Sequence, residues 1–265
     1  MILDCSKYVG PCKCGREHTL ETKKVVVEYD ALVKFDQYMD EVGLTGKRAV
    51  IYDTNTYNLP TLKHVRADQE IVLNAEGLHS EKGMIEDMMR QLDHPDVIVA
   101  VGSGTIMDFG RYPAYHLGIP FVAVPTLASS DGFTANICSI IIDGQKKSIP
   151  MQAAALVVCD LNVVSGAPLW LTVSGISDIL AKYISLADWK IAHLVSGEYY
   201  CPMVADLAEE ALTIMRKAAD DMAAGGKPDF EAMTMAQMIS GLTMQLLNHS
   251  RAASGAEHLM AHLVE

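Results

Sequence analysis

Three stretches of this 265-residue chain carry residue types at spacings that suit chemistry. The first is Gly102-Ser103-Gly104-Thr105-Ile106-Met107-Asp108, which follows the apolar run Val97 to Val101 and opens into a helical pattern. Glycines in such a turn let the backbone approach a pyrophosphate, and the helix start offers free N–H groups with a partial positive charge. Met107 stands where the third glycine of GxGxxG would be, so this is not the ordinary dinucleotide fingerprint, and a ligand-free strand-to-helix turn is the competing reading. The second stretch, Pro125-Thr126-Leu127-Ala128-Ser129-Ser130-Asp131-Gly132, gathers hydroxyls and one carboxylate after the run Phe121 to Val124. Hydroxyl donors suit a dinucleotide phosphate or a nicotinamide amide; a helix N-cap at Ser129 or Asp131 would explain only one of these residues. The third is the pair His258 and His262, four apart and so on one helical face. With the upstream carboxylate Asp178 they make a ligand mix that a divalent ion accepts, whereas for a lone histidine a core or surface role is the ordinary reading.

The elements that must position these residues are legible in outline. Arg48 to Tyr52, Val97 to Val101 and Phe121 to Val124 are β-rich runs ending in polar or Gly/Pro-containing loops, with helical stretches between them, which predicts a parallel sheet flanked by helices. Ligands bind such sheets at those loop ends. Ser80 to Leu92 places Met84, Met88, Met89 and Leu92 at helical spacing against the sheet. A further strand, Leu156 to Cys159, leads to Asp160, after which helical patterns take over. The reading is an α/β protein: a Rossmann-like dinucleotide-binding domain over 1–162, then an incomplete all-helical metal and substrate domain over 163–265. Leu169 to Lys190, Cys201 to Ala224 and Phe230 to Leu247 read as its helices, with a loop around Gly225, Gly226 and Pro228.

Half the residues are apolar and a fifth are charged, enough for a sizeable core. A net charge of −12 argues against nucleic acid or an anionic membrane as partner, since both require a basic face. No apolar run stands out as a membrane span and the N-terminus does not read as a secretion signal, so a cytoplasmic protein is expected. The six cysteines at irregular spacings suggest free thiols. Cys12-Lys13-Cys14 with His18 could bind metal, but the strong zinc patterns pair two closely spaced couples and no second couple follows.

Taken in order, GSGTIMD, PTLASSDG, Gly175-Ile176-Ser177-Asp178 with Asp188-Trp189, and SRAASGAEHLMAH resemble the sn-glycerol-1-phosphate dehydrogenases, within the wider group of iron- or zinc-dependent polyol dehydrogenases and dehydroquinate synthases. The resemblance runs from about residue 24 to the last residue, and Cys12-Lys13-Cys14-Gly15 with His18 is also similar to the start of many bacterial members. It implies that Gly102, Ser103, Gly104, Thr105 and Ile106 cradle the pyrophosphate of NAD or NADP, with Thr126 and Ser129 also on the dinucleotide. It further implies that Asp131 is catalytic and meets substrate, that Asp178 and His258 bind the metal with Asp178 beside substrate, and that His262 is catalytic and contacts substrate. The family's cofactor-contacting serine is Ala135 here. Zinc, nickel and iron all accept such ligands.

The implied reaction is reversible reduction of dihydroxyacetone phosphate to sn-glycerol 1-phosphate, with Arg251 a candidate for the substrate phosphate and an ordinary surface ion pair its alternative. Two other readings stay open: a polyol dehydrogenase acting on an unphosphorylated substrate, and an inactive remnant serving as a binding subunit. The family's further metal-binding histidine lies beyond residue 265, so a fragment with an incomplete metal site and exposed apolar surface is expected. Relatives are commonly dimers or larger, which leaves a homo-oligomer open. Asp53 could accept a ribose 2′-hydroxyl, while Thr54-Asn55-Thr56 could tolerate a 2′-phosphate, so the choice between NAD and NADP is also open.

Overall fold

The structure, a computed structural model, describes residues 1–264, apart from the side chains of Leu259 and of residues 262–264. In chain order its strands are β1 (Ile2–Leu3), β2 (Gly10–Pro11), β3 (Glu17–His18), β4 (Lys24–Glu28), β5 (Arg48–Asp53), β6 (Gln69–Leu73), β7 (Val97–Gly102), β8 (Phe121–Pro125), β9 (Ile137–Ile142), β10 (Gln145–Pro150) and β11 (Leu156–Asp160). Two compact units emerge. The first combines Met1–Asp4, Glu21–Leu127 and Asn136–Pro168, and the second Cys5–Leu20, Ala128–Ala135 and Leu169–Glu265. Two continuous domains meeting at residue 162 are therefore too simple a division. Two short segments of the N-terminal half cluster with the helices, because compactness follows contacts rather than chain order.

The first unit is a seven-stranded sheet in the order β1-β4-β11-β8-β7-β5-β6, parallel except for β1 against β4. Strands β5, β7, β8 and β11 are buried at every position, as continuous apolar runs are when helices cover both faces. Its helices are α1 (Phe35–Glu41), α2 (Thr54–Tyr57), α3 (Lys82–Met89), α4 (Gly104–Leu117) and α5 (Leu161–Val164). Helix α3 buries Ile85 and Met88 and leaves Met84 exposed; it packs against α4 and β9 rather than on the seven-stranded sheet, so of the expected stripe Met88 alone is fully buried. The antiparallel pair β9–β10 was not foreseen. Its turn at Asp143-Gly144 has both residues at positive φ, 53° and 74°, the geometry that Asp-Gly favours in two-residue hairpins.

The second unit holds α6 (Leu169–Leu180), α7 (Lys182–Ser196), α8 (Pro202–Ala223), α9 (Phe230–Leu247) and α10 (Ala256–Val264), together with the β2–β3 hairpin. Helix α8 buries Val204, Ala208, Ala211, Leu212 and Met215, one stripe at helical period. Helix α9 is buried on all sides from Met233 to Leu246 and is the central helix of the unit. The single helix expected over 169–190 is two, α6 and α7. Together Leu169–Ser196 are long and apolar enough by composition to cross a membrane, with mean hydropathy 1.2, although polar residues interrupt the stretch. The stretch also carries Asp178, Lys182, Asp188 and Lys190. Lys182 is almost fully buried between Asp131 and Asp178, although only 28% of the stretch's apolar window is buried.

Candidate active site and nucleotide loop

In the first unit β7 ends at Gly102 beside Pro125 of β8, so the two motif loops leave neighbouring parallel strands at the same sheet edge. The Thr126 N–H donates to the Gly102 carbonyl at 3.2 Å. Ser103 is the N-cap of α4 with extended backbone and no side-chain cap bond, so no side chain of its own covers the helix start. Ser103, Gly104 and Thr105 are half-buried, and a Cβ added at Gly104 would meet nothing within 4 Å. Open space in front of a helix N-terminus is what a pyrophosphate requires. Ile106 is buried under the turn. The close helix-to-strand approach that a third glycine usually provides is made instead by Gly110, where a Cβ would come within 2.7 Å of Ala100 and Phe121 side-chain atoms. That signal lay three residues beyond the expected position. Asp53 is committed elsewhere: its carboxylate caps α2, accepting from the Thr56 N–H at 2.8 Å and the Thr56 hydroxyl at 3.1 Å.

The second unit assembles a buried charged cluster. Residues 128–136 form a turn rather than a helix start, so neither Ser129 nor Asp131 serves as a helix cap. Ser129 is half-buried in that loop. The Asp131 backbone N–H donates to Asp178 Oδ2 at 3.1 Å, and Ser240 on α9 donates its hydroxyl to Asp131 Oδ2 at 2.8 Å. Lys182, one turn after Asp178, sets its ammonium 2.9 Å from Asp178 Oδ1 and 3.1 Å from Asp131 Oδ2. Burial disfavours that ammonium, but the two carboxylates outweigh it and its pKa is raised. Asp178 is pushed up to about 6, chiefly by burial and then by the Asp131 charge, against the pull of Lys182. A carboxylate with a raised pKa beside a buried cation is an arrangement found at binding and catalytic sites. Gly241 lets α9 press on this loop: a Cβ there would lie 2.1 Å from Thr134 Oγ1 and 2.3 Å from the Asp131 carbonyl oxygen. Thr134 in turn donates to the Met238 carbonyl at 2.8 Å. The sequence offered no sign of Lys182 or Ser240 beyond the helical spacing of Lys182 from Asp178.

The remaining expected residues fall as follows. His258 is half-buried near the start of α10. Among the described residues, no group of three or more His, Cys, Asp or Glu ligand atoms gathers around Asp178 and His258. The His262 side chain lies outside the described residues. Arg251 is engaged: its Nε donates to Glu198 Oε1 at 2.9 Å and its Nη2 to the Asp188 carbonyl at 3.2 Å. The surface ion pair is thus the arrangement seen for Arg251. Asp188 anchors the histidine-bearing helix, since its Oδ2 accepts from the Ala256 N–H at 2.8 Å. Trp189 is buried and donates its indole N–H to the Tyr199 carbonyl at 2.8 Å.

Residues 26–168 match the family described as iron-containing alcohol dehydrogenase. The chain is 33% identical to a glycerol-1-phosphate dehydrogenase (NAD(P)+) of Halalkalibacterium halodurans, and 35% identical to one of Bacillus licheniformis, over the whole chain and 69% of each relative. A glycerol dehydrogenase from Schizosaccharomyces pombe has the same fold, with a TM-score of 0.72 and 22% identity over 90% of this chain and 63% of that one. The chain therefore spans about two thirds of the length of the relatives it matches.

Proposed function

The chain belongs to the iron-containing alcohol dehydrogenase family, and from that premise we propose that it serves the reversible, NAD(P)-linked reduction of dihydroxyacetone phosphate to sn-glycerol 1-phosphate. The observation that carries this reading is the Asp131–Lys182–Asp178 cluster, whose two carboxylates stand at the positions where the resemblance puts substrate and metal. In the reduction a hydride adds to the carbonyl carbon and a proton to its oxygen. When bound, the nicotinamide supplies the hydride and a divalent metal supplies Lewis acidity at that oxygen.

The donor chemistry fits such an ion. Asp178 is a half-buried carboxylate whose Oδ1 would exchange the Lys182 ammonium for the ion, and His258 supplies an imidazole; these two residues would hold the metal, with zinc, nickel and iron all acceptable. Asp131, fixed by the Ser240 hydroxyl, would orient the substrate hydroxyls. His262, or a water it positions, would move the proton to and from the substrate oxygen. Gly102 through Ile106, Thr126 and Ser129 would bind the dinucleotide, the first five through the open start of α4.

The test is a metal-supplemented turnover assay with dihydroxyacetone phosphate, on the chain extended to the length of its relatives, run with NADH and then NADPH. Substrate- and metal-dependent oxidation of one of the two nucleotides is expected, and Asp178→Asn should lower it by two orders of magnitude or more. No substrate-dependent oxidation with zinc, nickel or iron would overturn the reading. The engagement of Arg251 by Glu198 favours a second possibility, a polyol dehydrogenase for unphosphorylated substrates. Faster turnover of dihydroxyacetone than of its phosphate would select it. In either case Arg251→Ala should change KM for the two substrates to the same small extent, less than about threefold, as expected for a half-buried ion pair that touches neither substrate.

A further inference from the structure

Four other side chains of the second unit converge in a way the dehydrogenase reaction does not use. Cys12 Sγ lies 3.8 Å from Cys201 Sγ, Cys14 Sγ lies 3.4 Å from His18 Nε2, and Cys201 Sγ lies 3.3 Å from that same nitrogen. All four atoms fall within 4.8 Å of one another. We propose that Cys12, Cys14, His18 and Cys201 form a structural zinc site that ties the N-terminal hairpin to the start of α8.

The distances suit a tetrahedron. Zinc–sulfur bonds of about 2.3 Å and zinc–nitrogen bonds of about 2.0–2.1 Å put neighbouring ligand atoms roughly 3.5–3.8 Å apart. A disulfide needs about 2.05 Å, and all six cysteines are free thiols. The tautomer of His18 is also set for a metal. Its Nδ1 lies 2.7 Å from the Leu246 carbonyl oxygen, which can only accept, so Nδ1 carries the proton and the Nε2 lone pair is turned toward the sulfurs. A ligating histidine commonly has its second nitrogen held in this way. His18 is buried, so this orientation is imposed by packing rather than sampled in solvent.

The chain is shaped locally to bring the ligands together. Cys12 to Arg16 close the tip of the β2–β3 hairpin through a Cys12 N–H bond to the Arg16 carbonyl at 2.9 Å and a Gly15 N–H bond to the Cys12 carbonyl at 3.0 Å. Gly15 takes φ +87°, which a side chain would resist, and its neighbours Cys12 and Cys14 can then face one point. Cys201 is the N-cap of α8, with Pro202 as first helical residue, which fixes the position of its thiol at the helix start. Three thiolates and a neutral imidazole around a dication leave one negative charge. The Tyr199 hydroxyl stands 3.1 Å from Cys14 Sγ, and the Arg16 guanidinium lies 3.4 Å over the Tyr199 ring, which places a cation nearby. A recess of about 540 Å³, lined by Tyr8, Cys12, Cys14, Pro202 and Asp206 among others, provides the entry path. Four protein ligands leave no open position, so the role is structural.

Metal analysis of the protein purified without added metal tests the proposal. One zinc per chain should survive dialysis, and should also survive in the Asp178→Asn, His258→Ala double variant, which shares no residue with the site. Cobalt(II) in its place should show thiolate-to-cobalt charge transfer and intense tetrahedral bands. Cys12→Ser with Cys201→Ser should lose this zinc, whereas His18→Cys should keep it as a four-cysteine set. If the serine variant fails to fold, alkylation of the unaltered protein decides: zinc should slow modification of Cys12, Cys14 and Cys201 at least tenfold, and a chelator should abolish the difference. Loss of zinc should lower the melting temperature by about 10 °C. Absence of retained zinc, a cobalt spectrum without thiolate bands, zinc lost with Asp178 and His258, or alkylation rates indifferent to zinc would each overturn the proposal.

Discussion

At the scale of single residues, the electrostatics of Lys182 decide what the site can tolerate. Removing a buried cation from between two carboxylates leaves them facing each other, so Lys182→Met should cost about 3–5 kcal/mol at neutral pH. The loss should shrink below pH 6, where Asp178 takes up a proton. In the parent chain without metal, the folded Asp178 titrates near 6 and an unfolded aspartate near about 3.9. Between those values the folded state holds more protons, so this residue lowers stability as pH rises through that window. Asp178→Asn should flatten the slope. Urea unfolding at several pH values from 4 to 8 measures both effects; an unchanged slope in Asp178→Asn would mean that Asp178 does not titrate there. Asp178 and Asp131 were legible beforehand through their motifs. Lys182 was not, because a lysine on an apolar helix reads as a solvated residue until its carboxylate partners are known.

At the scale of elements, the loop 128–135 owes its position to a helix that passes without a side chain in the way. Gly241→Ala would force the Thr134 hydroxyl and the Asp131 backbone to move, and such overpacking costs about 1–3 kcal/mol. The expected result is a drop in stability together with at least a tenfold fall in kcat/KM, while nucleotide affinity, which the proposed function assigns to the start of α4, stays within twofold. Denaturant melts and nucleotide fluorescence titration separate these, and unchanged kcat/KM would show that α9 does not set the loop. Strand and helix identity were readable where local pattern is strong: β5, β7, β8, β11 and α9 all lie where apolar runs or helical periodicity put them. Strand β6 was missed because it is an edge strand with one buried residue, Ile71, too little pattern to read. The β9–β10 hairpin carries the Asp143-Gly144 turn signal, but β10 is exposed at all but one position, so no alternation of apolar residues marks its second strand.

At the scale of the whole molecule, helices α6 and α7 leave large apolar side chains exposed, among them Trp170, Leu194 and Val195 at 70%, 72% and 82%. Apolar surface of this kind drives association. The chain alone should bind a hydrophobic dye and sediment faster as concentration rises, and Leu194→Glu with Val195→Glu should suppress both while altering stability by no more than about 0.5 kcal/mol. Dye binding unaffected by these changes would locate the sticky surface elsewhere.

What the amino-acid order determined by itself is whatever local physics can write: which runs are strands, where glycine-rich turns follow them, which helices are amphipathic, and the ordered motifs that carry the family resemblance. Tertiary structure alone decided which distant groups meet. Asp131 found Lys182 and Ser240, and Cys201 joined Cys12, Cys14 and His18 across 183 residues or more of chain. Periodicity reports the face of an element on which a side chain lies, but convergence at one point depends on how elements pack, and that is settled by the burial of the core as a whole.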